Sequence, residues 1–180
     1  MDNTEREKKL EAAIEKVAFQ YKCIDSSEIE FSEEVRDACK VNFCGRYNTC
    51  WTCPPAVGEV GDLKKKLTRF KRAFVYTTKH GIEDSFDMEG MFEARKVHDA
   101  ADEEIIGTGE EIGGTLLGAG GCGICKKCAY PDAPCRFPDK ARYSVESCGI
   151  NVVHLAAKCN INYINGENTV TYFSVIFFGE

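Results

Sequence analysis

The sequence predicts an α+β fold: a small mixed or antiparallel sheet flanked by helices, with two cysteine-rich metal-binding loops and a C-terminal β-hairpin. Three observations predict it. Helix-like and strand-like segments mix without the regular βαβ alternation of a parallel sheet. Asn165-Gly166 stands between β-rich runs, the strongest short-range hairpin signal. Eight of the eleven cysteines crowd into two segments that prolines and glycines keep irregular.

Taken in order, Thr4 to Tyr21 reads as a helix. Thr4 and Glu7 offer a capping box, and Leu10, Ile14, Val17 and Tyr21 recur on one face. An extended piece at Ile29–Phe31 follows, and Ser32 caps a brief helix that leads to the first cysteine loop, residues 39–55. Its consecutive prolines, Pro54 and Pro55, exclude both helix interior and central strand. After Gly58 a helix runs to Arg72 with Val60, Leu63, Leu67 and Phe70 as its apolar stripe, and Ala73–Thr78 reads as a buried strand.

Phe86 to Ile106 is again helical, with Met88, Met91, Ala94, Ala101 and Ile105 on one side. Gly113–Gly123 reads as a strand ending in a flexible turn that delivers the second cysteine loop, residues 120–138. Ser147 or Asn151 starts a helix bearing Val152, Val153 and Ala156. The final strand is apolar on both faces, which predicts a central place in the sheet. With 180 residues, 43% of them apolar, the chain reads as one domain with an ordinary core, residues 1–180.

A net charge of −6 gives no general attraction to nucleic acid or anionic membranes, and neither is expected as a partner. No segment is long and apolar enough to span a bilayer. The opening MDNTEREKKL lacks the apolar stretch of a signal peptide, so a cytoplasmic location is expected. In a reducing compartment, eleven cysteines make a metal framework more natural than disulfides, and their odd number agrees.

Cys39, Cys44, Cys50 and Cys53 form one set, with gaps of four, five and two residues; Cys122, Cys125, Cys128 and Cys135 form another, with gaps of two, two and six. Two groups of four predict two four-thiolate sites. Overlapping C-x₂-C steps in the second set wrap an object larger than one ion, as in the run that opens bacterial ferredoxins. Structural zinc sites instead pair two separate knuckles. Two iron–sulfur clusters, of the [4Fe–4S] type, are therefore the expected cofactors, with zinc as the alternative. The first set is less diagnostic; Pro54 after Cys53, and small Gly45, Thr49 and Thr52, favour a cluster there too. Spacing leaves open which thiol serves which site. Cys23, Cys148 and Cys159 read as small core hydrophobes.

CGRYNTCWTCPP, then LGAGGCGICKKC, PCRFP and the trailing Ser144, Glu146, Gly149 and Ile150 resemble a family of cysteine-rich predicted metal-binding proteins of unknown function (domain of unknown function 2284) from anaerobic bacteria and archaea. The likeness covers roughly residues 20 to 180, and all eight clustered cysteines fall on the family's cysteine positions. Proline is commoner there at Gly121, and alanine at Cys148. The resemblance implies metal binding, with iron–sulfur favoured, and names no reaction.

Other features are weaker. Arg136 is placed to hydrogen-bond a thiolate or to lie on Pro138, and Glu146 to pair with Arg142. His80, His98 and His154 are scattered singly and read as structural. GTGEEIGG, Gly107–Gly114, misses both glycine-rich nucleotide fingerprints. Trp51 and Tyr47 read as a shield against water. Lys64–Arg72 reads as a solvated helix face or as a docking patch for an acidic redox partner. The function expected is single-electron transfer. The alternatives are a structural zinc-binding interaction module, and a redox enzyme or accessory that pairs a cluster with a bound corrinoid or flavin.

Overall fold

In the computed structural model, which describes residues 2–179, the chain is an α+β protein built on one five-stranded mixed sheet. The first helix, α1 (Asn3–Ile14), is closed by a capping box two residues earlier than the sequence suggested. Glu5 N–H donates to Asp2 Oδ1 at 2.8 Å, and Asp2 N–H to the Glu5 carboxylate at 3.0 Å. The helix also ends sooner. Tyr21 lies in strand β1 (Gln20–Asp25), opposite Tyr76, because pairing with the neighbouring strand satisfies the backbone groups of this segment as another helical turn would.

Ser32 caps α2 (Glu33–Ala38) as expected, accepting from Glu34 N–H. Helix α3 (Val60–Leu67) stops short of the predicted Arg72, which instead opens β2 (Arg72–Gly81). Helix α4 (Met88–Glu111) extends past Ile106, with Asp87 accepting from Gly90 N–H at its start. Strands β3 (Thr115–Gly118) and β4 (Tyr143–Ser144) flank the second cysteine loop. Of the two candidate caps, Asn151 starts α5 (Val152–Cys159), and β5 (Thr169–Phe178) closes the described chain.

The sheet order is β1-β2-β5-β3-β4, antiparallel except for β3 with β4. Strand β5 holds the central place predicted for it. The C-terminal hairpin does not form: no strand precedes the Asn165-Gly166 turn. The Asn165 amide instead closes that turn on the Asn162 carbonyl and the Thr171 hydroxyl, and β5 pairs with β2 and β3.

Two cores result. On one face Phe74, Tyr76, Ile176 and Phe178 meet Leu10 and Ile14 of α1 and Ile105 of α4. On the other, Val75, Val175 and Phe177 meet Leu67 of α3 and Leu155 and Ala156 of α5. Each large apolar side chain buried this way contributes about 1.5–3 kcal/mol. Together these faces hold rigid the strand ends from which the second cysteine loop departs.

Candidate metal centre

The first loop is folded by its polar turn residues. Asn42, Gly45 and Asn48 all take positive φ, reversing the chain repeatedly. Asn42 Oδ1 accepts from Tyr47 N–H, and Asn48 N–H donates to the Pro54 carbonyl at 2.8 Å. The enclosed segment turns Cys50 and Cys53 inward, leaving them 2% and 5% exposed. The Pro54–Pro55 bond is cis.

Cys50 Sγ lies 3.6 Å from Thr52 Oγ1. The neighbouring Cys53 thiol, helped by Thr52 and the nearby Arg46 charge, pulls Cys50 down against the opposing effect of burial. Cys50 in turn raises Cys53. The thiolate is the form that binds metal. Cys44 is exposed, and its charge acts on both Cys39 and Cys53. Burial raises Cys39 first, and the Cys44 charge adds to it.

The second loop supplies the more concentrated donor set. Cys122, Cys125, Cys128 and Cys135 are all half-buried and line one small cleft. Arg46, Cys50, Trp51 and Thr52 of the first loop form its other wall. Cys50 thus stands with both sets, whereas Cys39, Cys44 and Cys53 do not line this cleft. Among the described residues, no three Cys, His, Asp or Glu side chains converge on a single ion position.

The loops are stitched together. Trp51 Nε1 donates to the Ala133 carbonyl at 3.0 Å, its ring meets Tyr130 edge-on at 5.0 Å, and the Tyr130 hydroxyl donates to Asn48 Oδ1 at 2.6 Å. Gly121 packs so closely that a Cβ there would lie 3.3 Å from Cys53 Sγ. Trp51 lines the cleft beside the second-loop thiols.

Arg136 donates to the Lys127 carbonyl at 2.9 Å and braces the second loop, making no hydrogen bond to a thiol among the described residues. Arg142 pairs with Glu103 at 2.6 Å, not with Glu146, because α4 passes closer than the turn that bears Glu146. The three isolated cysteines are packing groups: burial pushes Cys23 and Cys148 up to about 12 and Cys159 to about 11. His154 is exposed on α5. Arg46, a cation between two cysteines of the first loop, is the site residue that spacing did not single out; its position inside CGRYNTC was the available signal.

Sulfur donors gathered at the meeting of two loops define a cysteine-rich metal-binding class of protein. The family model described as "Predicted metal-binding protein (DUF2284)" matches residues 22–178, and the chain belongs to that family. No curated protein and no solved structure matches it. No helix of the described residues is long and apolar enough to cross a membrane.

Proposed function

We propose that the protein carries two iron–sulfur clusters and passes single electrons. Cys122, Cys125, Cys128 and Cys135 would hold one, and Cys39, Cys44, Cys50 and Cys53 the other. The observation that supports this is that all four second-loop thiols line one cleft, in the overlapping spacing that suits a cluster. A bound cluster supplies a one-electron couple whose potential responds to charge, hydrogen bonding and water access.

The chain's own residues set those conditions. Arg46 brings positive charge to thiolates that would otherwise repel an added electron. Ile124 and Phe137 line the cleft with apolar surface, and Trp51 with Tyr130 limits water. Eight cysteines satisfy eight ligand positions, leaving none open for substrate, which favours electron transfer over catalysis.

The basic face of α3 supports a docking role for an acidic redox protein. Lys64, Lys65 and Lys66 are exposed, and Lys66 lies 5.8 Å from the Tyr143 ring centroid. Tyr143 stands two residues after Ala141, which lines the second-loop cleft, so the basic face adjoins that site. Arg72 does not belong to it, being held by Asp25 and Glu7.

Metal and acid-labile sulfide analysis of anaerobically purified protein tests the proposal. Iron and sulfide in equal amounts are expected. Zinc without sulfide would replace it with the structural zinc module.

A further inference from the structure

On the far side of the sheet core from α5, α4 covers a file of buried polar side chains that electron transfer as described above leaves unused. Strand β2 contributes Tyr76, Thr78 and His80, β5 contributes Ser174, and α4 contributes His98 and Asp102 one turn apart. Thr78, His98, Asp102 and Ser174 are 4%, 0%, 1% and 0% exposed. His80, at the outer end, is half-buried.

The contacts run without a break. His80 Nε2 lies 2.8 Å from Thr78 Oγ1, which lies 2.8 Å from His98 Nδ1. His98 Nε2 lies 2.9 Å from Ser174 Oγ, which lies 2.8 Å from Asp102 Oδ1. The Tyr76 hydroxyl donates to the same Asp102 oxygen at 2.6 Å.

The ionised state of Asp102 fixes every direction. Asp102 accepts from Ser174, so Ser174 accepts from His98 Nε2–H. His98 Nδ1 then accepts from the Thr78 hydroxyl, and Thr78 accepts from His80 Nε2–H. All donors point one way, from the rim of the sheet to Asp102. A chain with uniform polarity is the arrangement that can pass a proton by successive hops.

Its inner end adjoins the second cysteine loop. A Cβ on Gly118 would lie 2.9 Å from Asp102 Oδ2, so the carboxylate presses on the last residue of β3. From Gly118 the backbone continues directly to Cys122.

We propose that this file is a proton line, and that reduction of the second-loop site draws one proton from solvent at His80 to Asp102. The inference rests on the redox role proposed for that loop. In the step, Ser174 gives its hydroxyl hydrogen to Asp102 and takes the Nε2 hydrogen of His98. His98 Nδ1 takes the Thr78 hydroxyl hydrogen, Thr78 takes the Nε2 hydrogen of His80, and the other His80 nitrogen takes a proton from water. One O–H bond forms on Asp102. The electron comes from a one-electron donor protein, and the negative charge it adds is matched by the charge lost at Asp102.

The surroundings of Asp102 suit this task. Tyr76 faces it from β2, Ser174 from β5, His98 and Asp99 from α4 itself, and Arg142 from the segment before β4, with Glu103 and Arg95 nearby on α4; β3 presents only Gly118 backbone. Burial, the largest influence, pushes Asp102 up to about 6, and burial holds His98 neutral, down to about 3. Charge added in a poorly screened interior shifts such a carboxyl further toward its protonated form.

The test uses the iron-loaded protein, with midpoint potential measured from about pH 5 to about pH 8. The wild type is expected to fall by about 59 mV for each tenfold drop in proton concentration over part of this range, and Asp102→Asn to stay flat. Infrared difference spectra on reduction should show a carboxylic acid band in the wild type that Asp102→Asn lacks. Thr78→Val keeps Asp102 and the potential slope, but interrupts the line; the band should then appear at least tenfold more slowly. A flat wild-type potential, or a Thr78→Val rate equal to wild type, overturns the proton line while leaving the cluster intact. Protein without iron and sulfide overturns the redox role itself, and the line with it.

Discussion

The Trp51 indole N–H donates to the Ala133 carbonyl across 3.0 Å, joining two cysteine loops that lie 82 residues apart in the chain. With Tyr130 edge-on to the same indole, this contact makes the two loops one structural unit. Trp51→Phe keeps a ring but removes the bond, and should cost about 0.5–1.5 kcal/mol. Tyr130→Phe removes the bond to Asn48 at a similar cost. Because the rings touch, the double variant should depart from additivity by a few tenths of a kcal/mol or more, read from urea unfolding curves of the metal-loaded protein.

The proposed ligand assignment divides the cysteines into eight donors and three packing groups. Cys125→Ser should release about half the bound metal if two equal sites are present. Cys148→Ser should release none, because burial holds that thiol protonated, up to about 12, against the core. Metal content per chain by plasma emission checks both. Cys50→Ser carries the sharper expectation: Cys50 lines the second-loop cleft and belongs to the first set, so metal should be lost from both sites.

His98 and Asp102 give opposite pH signatures. Asp102 is raised in the fold from 3.8 to about 6, so its contribution to stability is fully present at low pH and is lost as pH rises through about 6. His98 is lowered from 6.5 to about 3, so its contribution is present above about 6.5 and is lost as pH falls toward 3. Between about pH 4 and pH 6 the two nearly cancel, since folding moves one proton from the imidazole to the carboxyl. Relative to wild type, His98→Gln should gain stability as pH falls from about 6 to about 4, and Asp102→Asn should lose it. Thermal unfolding across that window reads the sign directly.

The exposed lysines of α3 predict a rate effect. Lys64→Glu with Lys65→Glu should slow reduction by an acidic one-electron donor about tenfold at low salt, with the difference shrinking as salt is added. Stopped-flow measurements at two ionic strengths check this. The variants should leave metal content unchanged, since neither side chain lines the cleft.

Much of this was legible in the sequence, for physical reasons. Ser32 and Asn151 cap their helices because short polar side chains satisfy free N–H groups wherever a helix begins. The two cysteine sets are visible in the sequence as spacing, and the four thiols of the second line one cleft. Strand β1 was not: Val17 and Tyr21 continue the helical spacing of Leu10 and Ile14, and only the waiting edge of β2 decides otherwise. The hairpin was misread for a related reason, since Asn165-Gly166 reports a turn but not what lies on either side of it.

The file beneath α4 was hidden for a third reason. His98 and Asp102 are spaced like residues of a solvated helix face, and their burial depends on Thr78 and Ser174 arriving from distant strands. The meeting of Cys50 with the second-loop thiols is likewise a product of tertiary packing, which spacing along either loop cannot express.

The most direct test of the central claim is an anaerobic dithionite titration of the protein as isolated, followed by optical and electron paramagnetic resonance spectra. Reversible bleaching of a broad visible absorption, with a paramagnetic signal appearing on uptake of about one electron per cluster, is the result expected of cysteine-ligated iron–sulfur sites. A colourless protein with spectra unchanged by dithionite would contradict it.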